Sequence, residues 1–174
     1  YEVFLDLKYH DIPTTVAKAV AVVVNTGIWM VNVHASGGHR MMSAAKEAAS
    51  KTGDTHLIAV TVLTSMTDDD LQLTGVSRTA EQQVLFLADS AKNAGLSGVV
   101  CSAQEAQQLR QRCGSNFLLV TPGIRPADAI ADDQRRTLTP REAIDAGSDY
   151  LVVGRPITQA DDPLLALQKM LATL

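Results

Sequence analysis

The chain has 174 residues, 46% of them hydrophobic and 20% charged, a balance typical of one globular domain with a substantial core. Its formal net charge of −4 at pH 7 excludes the basic surface that a nucleic-acid or anionic-membrane partner requires. No apolar run approaches the roughly 18–20 residues of a membrane span, and no signal segment opens the sequence, so we expect a cytoplasmic protein.

Apolar, β-branched runs alternate with helical patterns along the whole chain. Periodicity and turn residues predict strands over residues 3–7, 28–34, 56–63, 98–101, 117–121 and 150–153. Predicted helices follow these strands over residues 13–25, 41–51, 79–94, 103–112, 140–146 and 161–174. Two polar stretches, residues 64–75 and 122–138, are predicted to be loops.

The predicted strands are too continuously hydrophobic to have a solvent face, which indicates a parallel sheet covered by helices. Six β/α units fit either a doubly wound sheet or most of a (β/α)8 barrel, and a complete barrel needs about 250 residues. The sequence opens with Tyr1, already inside a strand-like run. We therefore predict one α/β domain over residues 1–174: a TIM barrel that is N-terminally incomplete and lacks its first two units.

The stretch FLDLKYHDIP, residues 4–13, concentrates opposite charges at the end of the first predicted strand. A strand period of two places Asp6 and Lys8 on the same face, and Asp11 follows in the loop. One interpretation is a structural ion-pair cluster. The other is a catalytic site, in which carboxylates keep Lys8 protonated so that it can neutralise and then protonate a carbanion.

A second group of polar residues follows the last two predicted strands. Gly154 would let backbone amides approach an anion and Arg155 adds a forked donor, at the position where barrels often bind phosphate. Gln134 and Arg125 lie in the loop after the preceding strand and are candidates for the same phosphate. For the two arginines, the alternative interpretation is an ordinary solvated loop residue.

Two weaker signals complete the candidate residues. Thr64 follows the third predicted strand and offers a hydroxyl to a ligand, although threonine is common in loops without any such role. Cys101 and Cys113 match no metal motif, and we expect both to be reduced structural thiols. The sequence therefore predicts no metal site.

Seven motifs occur in the order FLDLKYHDIP, WMVNVHASGG, IAVTVLTSM, GVVCSAQEA, LVTPGIRP, DQRR and VVGRPIT, and they span essentially the whole chain. Together they resemble the orotidine 5′-phosphate decarboxylases of the bacterial type. The D-x-K-x-x-D core alone is shared with a wider superfamily of sugar-phosphate decarboxylases and aldol-type enzymes. The complete set is much more specific.

The resemblance implies a homodimeric (β/α)8 barrel that converts orotidine 5′-phosphate to uridine 5′-phosphate and CO₂ in pyrimidine biosynthesis, without metal or organic cofactor. It implies that Lys8 protonates C6 and that Asp6 lies against the substrate carboxylate. Asp11 and Thr15 would reach the partner subunit's site, and Thr64 would contact the pyrimidine. The phosphate would be held by Arg125, Gln134, Gly154 and Arg155.

The sequence departs from the family pattern at its front. The family carries an aspartate on its first strand and a lysine on its second, and neither has a counterpart here. Two alternative functions therefore stay open. One is a non-catalytic truncated form that only binds nucleotide phosphate; the other is a metal-dependent decarboxylase of the 3-keto-gulonate-phosphate type, against which the motifs TPGIRP and DQRR argue.

Overall fold

The computed structural model describes residues 1–51, 55–126 and 138–174. Within these ranges, six strands form one sheet in which all neighbouring pairs are parallel. The strands are β1 (Phe4–Tyr9), β2 (Met30–His34), β3 (His56–Val60), β4 (Gly98–Val100), β5 (Leu118–Thr121) and β6 (Tyr150–Leu151).

Helices connect these strands. They are α1 (Pro13–Val24), α2 (His39–Ala49), α3 (Asp68–Leu73), α4 (Ala80–Asn93), α5 (Ala106–Cys113), α6 (Pro140–Asp145), α7 (Arg155–Thr158) and α8 (Pro163–Leu171). Single 3₁₀ turns precede α2 and α5. In the part of the chain that is described, no helix is both long enough and apolar enough to cross a membrane.

The strand order distinguishes between the two architectures that fit the sequence. The strands pair in the order β1-β2-β3-β4-β5-β6, so the direction of winding never reverses. A doubly wound sheet reverses its order at a switch point, which puts helices on both faces. Right-handed crossovers in one constant direction put the helices on one face and leave the other face for a barrel interior. The predicted (β/α)8 architecture is confirmed, and the chain forms six consecutive units of it.

Alternate residues of each strand pack into different cores, as the strand period of two requires. Val31 and Leu57 pack against the helices in the main hydrophobic cluster. Met30, Ile58 and Val120 form a separate cluster on the other face of the sheet. This second cluster is the packed interior of the barrel, so the central strands β2 to β5 are largely buried on both faces, which accounts for their continuous hydrophobicity.

Several helix boundaries follow from local sequence signals. Thr79 precedes α4 and its hydroxyl accepts the backbone N–H of Gln82 at 3.3 Å, in a reciprocal capping box. Thr139 forms the same arrangement before α6, where Pro140 occupies the first helical position. Gly95 follows α4 at a φ of +79°, a conformation that favours glycine.

The main difference from the predicted elements lies between β3 and α4. Residues 64–75 were expected to be a loop, yet they contain α3. Thr67 and Asp70 form a capping box there, and three consecutive aspartates occupy the first turn, where the helix dipole favours negative charge. Polar composition concealed this helix because Leu71 is its one buried residue and its clearest sequence signal is the N-terminal capping box.

Candidate active site

The end of β1 departs from a regular strand. The pairing register shifts within β1, so that residues 6–8 oppose a single residue of β2, Asn32. Such a β-bulge bends the strand and re-aims its side chains. Lys8 lies in the bulge at a φ of 52°, and no other non-glycine residue in the described ranges has a positive φ. The contact between Asp6 and Lys8 therefore depends on a bulge rather than on the regular alternation that the sequence predicted.

Three short hydrogen bonds hold the bulge together. Lys8 Nζ donates to Asp6 Oδ2 at 2.7 Å, which is also an ion pair. Asn32 Nδ2 donates to Asp6 Oδ1 at 2.6 Å. Asn32 Oδ1 accepts the backbone N–H of Lys8 at 2.7 Å. The structure thus brings Asp6 and Lys8 together and adds Asn32 to them.

The ion pair between Lys8 and Asp6 contributes little to the stability of the fold. The side chains of Lys8 and Asp6 are 37% and 44% exposed, and ion pairs with such exposure contribute about 0–1 kcal/mol. The left-handed backbone conformation of Lys8 costs about 1–2 kcal/mol. A strained residue with a solvent-accessible ammonium group is typical of a site arranged for a ligand.

The two residues expected to serve a partner subunit take no part in this ion pair. Asp11 is exposed, and its Oδ1 accepts the backbone N–H of Ile12 at 2.6 Å. Thr15 lies in the first turn of α1 and is also exposed. Among the described residues of this single chain, Lys8 pairs with Asp6 and not with Asp11.

A cavity of about 230 Å³ joins Lys8 to the ends of three strands. Thr64, which follows β3, is buried and lies on its wall, so the structure brings Thr64 and Lys8 to the same space. The location is the C-terminal end of the strands, where barrels place their active sites. The lining residues are Lys8, Val60, Val62, Leu63, Thr64, Ser65, Val100, Cys101 and Pro122.

The residues predicted to bind phosphate lie after β5 and β6, which are neighbouring strands. Gly154 and Arg155 stand at the start of α7, and a Cβ added to Gly154 would meet nothing within 4 Å, so the space beside it is open. Arg125 is half-buried, and its Nη1 donates to the carbonyl of Ile124 at 3.1 Å. Gln134 lies outside the described residues. The other three therefore lie in the segments that follow two adjacent strands.

A larger cavity, of about 510 Å³, lies elsewhere in the molecule. Its walls come mainly from α6 and α8, in the helical layer outside the sheet, and Lys8 and Thr64 are not among its lining residues. Cavity volume alone would favour it as the functional site. We place the active site in the smaller cavity because strand ends and the strained lysine meet there.

Asn32 is the residue of this site that the sequence analysis missed. It is fully buried, with 0% exposure, in the middle of the apolar strand β2. A buried amide is costly unless its hydrogen bonds are satisfied, so an asparagine within the run MVNVH was itself a signal of a nearby polar partner. The partner could not be named from sequence because the bulge in β1 sets the pairing.

Cys101 and Cys113 are both buried thiols, and burial raises the pKa of the Cys113 thiol. Cys101 also lines the active-site cavity, a position that the sequence did not suggest. Within the described ranges, no three His, Cys, Asp or Glu side chains are grouped so that they could hold a metal ion.

His34 ends β2 next to this cluster, and its ring centroid lies 5.5 Å from that of His10. Burial lowers the pKa of His34, and the nearby charges of His10 and Lys8 lower it further, against an opposite effect of Asp6. These effects favour the neutral form of His34 in the folded protein.

We expect acidification from pH 7 to pH 5 to destabilise the fold in part through His34. Because its pKa is lower in the folded state, the unfolded chain binds the proton first, so the free energy of unfolding decreases as the pH falls below about 6.5. The glutamine side chain of His34→Gln does not titrate, so the free energy of unfolding of this variant should decrease less between the two pH values. Urea unfolding at the two pH values measures it, and an equal decrease in both proteins would contradict the expectation.

The chain is similar over almost its whole length to proteins of one family. A family model described as the orotidine 5′-phosphate decarboxylase / HUMPS family matches residues 1–170. Orotidine 5′-phosphate decarboxylase from Pseudoalteromonas translucida (strain TAC 125) is 63% identical over 169 residues, which is 96% of this chain and 72% of that protein. The enzyme of the same name from Saccharophagus degradans is 59% identical over 100% of this chain and 74% of that protein.

The backbone fold is also similar to that of a solved structure with the same name as these relatives. The crystal structure of orotidine 5′-phosphate decarboxylase from Lactobacillus acidophilus matches with a TM-score of 0.85 and 42% sequence identity. The match covers 99% of this chain and 75% of that one. Sequence and backbone therefore agree on one group of relatives.

Proposed function

This chain belongs to the orotidine 5′-phosphate decarboxylase / HUMPS family, and we propose that Lys8 and Asp6 carry out its chemistry. The reaction of this chain is the decarboxylation of orotidine 5′-phosphate to uridine 5′-phosphate and CO₂, a lyase reaction of pyrimidine biosynthesis. One observation supports the assignment of the site above all others. The Lys8 ammonium group is held 2.7 Å from Asp6 on the wall of a cavity that Thr64 also lines.

Decarboxylation breaks the bond between C6 and the carboxylate and leaves the electron pair on C6, where the ring delocalises it poorly. The Lys8 ammonium group stabilises this charge as it develops, most strongly once the bound substrate has displaced water. Lys8 then transfers a proton to C6, forming the C–H bond of the product, and regains a proton from water. Asp6 keeps Lys8 protonated and positioned before the reaction, and its charge lies against the substrate carboxylate.

Binding of the substrate relies on residues away from C6. We assign the pyrimidine contact to Thr64 and the phosphate contacts to Arg125, Gly154 and Arg155, together with Gln134. An arginine and open backbone amides suit a phosphate dianion because they supply several charge-assisted hydrogen bonds. The energy of this remote binding can then be used to orient the carboxylate against Asp6.

The proposal includes a homodimer in which Asp11 and Thr15 of one protomer reach the site of its partner. Both side chains are exposed and stand outside the Lys8 ion pair, and Ile12 between them is 64% exposed, as an interface residue would be in the isolated chain. A cytoplasmic location belongs to the same proposal, because nucleotide phosphates do not cross membranes freely.

The two alternative functions have less support. Curated relatives that are 63%, 59% and 62% identical carry the name orotidine 5′-phosphate decarboxylase, which favours the nucleotide reaction over the metal-dependent one. A form that only binds nucleotide has no need of a strained lysine paired with a carboxylate beside the binding cavity.

Decarboxylation of orotidine 5′-phosphate by the purified protein, followed by ultraviolet absorbance in excess chelator, tests the proposal. We expect turnover that the chelator does not reduce. Absence of turnover with retained uridine 5′-phosphate binding would support the non-catalytic form instead. Activity that appears only with added Mg²⁺ and a sugar-phosphate substrate would identify the metal-dependent relative.

A further inference from the structure

We propose that Asn32 is a positioning residue for this reaction: its side-chain amide locks the β1 bulge and thereby sets the Lys8 ammonium group against Asp6. The inference rests on the function proposed above for Lys8 and Asp6. It assigns a role to a residue that does not line the cavity and is not expected to touch the substrate.

The hydrogen bonds of Asn32 leave it a single orientation. The backbone N–H of Lys8 can only donate and the Asp6 carboxylate can only accept, so Oδ1 must face the first and Nδ2 the second. The two bonds, at 2.7 and 2.6 Å, reach both ends of the bulge from one fully buried side chain. A carboxylate cannot donate and an apolar side chain can do neither, so an amide suits this position.

The bond to Lys8 stabilises a strained backbone. A lysine in the left-handed region costs about 1–2 kcal/mol, and the structure must supply a compensating interaction if that conformation is to persist. Asn32 supplies it, because it occupies the one position of β2 that opposes the whole bulge. Without that acceptor, Lys8 can return to extended backbone geometry, which turns its side chain in another direction.

The bond to Asp6 orients the carboxylate. With Oδ1 held by Asn32, Oδ2 is directed at Lys8 Nζ, 2.7 Å away. The exposed ion pair is too weak to fix this geometry by itself, since both of its side chains are more than a third exposed. The buried amide therefore provides the rigidity that a catalytic ammonium group needs.

The first test is Asn32→Ala, which removes both bonds. A displacement of about 1 Å at a catalytic group can cost on the order of 100-fold in rate. We expect kcat for orotidine 5′-phosphate to fall by about that factor, while the Kd for uridine 5′-phosphate changes by less than about threefold, because the residues proposed to bind phosphate follow β5 and β6, away from the bulge. The variant Asn32→Thr should behave in the same way, because its side chain is too short to reach both partners. Its β-branched side chain suits a strand, so it provides a second test if the alanine variant does not fold.

Val31→Ala is the matched control. Val31 is also fully buried in β2, but it packs against the helices on the opposite face of the sheet. This substitution should lower the Tm through loss of packing and leave kcat unchanged at a temperature well below the Tm. A purely structural role for Asn32 would make its variants resemble this control.

A crystal structure of Asn32→Thr supplies a readout that does not depend on activity. We expect Lys8 to leave the left-handed region and the Lys8–Asp6 distance to exceed 4 Å. An unchanged 2.7 Å ion pair, or a wild-type kcat in a folded Asn32 variant, would overturn the inference. Failure of the wild-type protein to turn over substrate would instead contradict the proposed function, and the crystal structure would still decide whether Asn32 holds the bulge.

Discussion

We expect the variant Lys8→Ala to lose orotidine 5′-phosphate turnover while it still binds uridine 5′-phosphate. In the proposed mechanism, Lys8 supplies both the charge that stabilises the C6 carbanion and the proton that is transferred to it. General acid catalysis typically contributes about 10²–10⁴-fold and preorganised electrostatic stabilisation about 10²–10³-fold, so removal of both should reduce kcat by at least about 10⁴-fold. The Kd for uridine 5′-phosphate should change much less, because we assign product binding mainly to the residues proposed to contact the phosphate.

Single-turnover kinetics and equilibrium binding of uridine 5′-phosphate measure the two effects separately. Lys92→Ala is a suitable control because Lys92 lies exposed in the last turn of α4, outside the cavity, and its loss should leave kcat unaltered. The stability of Lys8→Ala should differ little from that of the wild type, because the ion pair is partly exposed. Unimpaired turnover in Lys8→Ala would refute the role given to Lys8.

The second large effect is expected for Arg155→Ala, which should weaken the binding of phosphorylated ligands. Hydrogen bonds to charged groups contribute about 1.5–3 kcal/mol, so the Kd for uridine 5′-phosphate should rise by about 10- to 100-fold. Uridine, which has no phosphate, should bind the variant and the wild type equally. Because remote binding energy is used at the reacting centre, kcat/KM for orotidine 5′-phosphate should fall by at least the same factor.

Titration calorimetry with both ligands distinguishes a phosphate contact from a general loss of structure. Arg112→Ala is the control, since Arg112 lies on α5 and pairs with Asp89 rather than facing the β5 and β6 loops. It should leave both affinities unchanged. An Arg155→Ala variant that binds uridine 5′-phosphate as tightly as the wild type would remove Arg155 from the phosphate site.

Much of the fold was predictable because its signals are local. Apolar runs identified all six strands, and residues such as Thr79, Pro140 and Gly95 indicated where helices begin and end. The helix α3 was missed because its cap, and not an apolar periodicity, is its main signal. The barrel was predicted over the doubly wound sheet from chain length and family resemblance rather than from local signals, since the choice depends on which strands become neighbours.

Part of the proposed site was also indicated by the sequence. Asp6 and Lys8 could be recognised because clustered opposite charges at a strand end demand a partner, and the motifs of the chain resembled a known family. Asn32 and Cys101 could not be assigned to the site from the sequence. Asn32 reaches Asp6 and Lys8 only through a shifted strand register, and Cys101 lines the cavity from a loop that follows a different strand.

The sequence by itself therefore determined the parallel sheet, the succession of β/α units and the family, and it indicated the charged residues of the proposed active site. The tertiary structure decided how those residues meet: a bulge of residues 6–8 opposite Asn32, a lysine in the left-handed region, and a cavity that joins Lys8 to Thr64. The physical reason is the range of the interactions. Strand and helix propensities depend on neighbours along the chain, whereas register and cavity shape arise from side chains that are distant in sequence and meet only when the sheet forms.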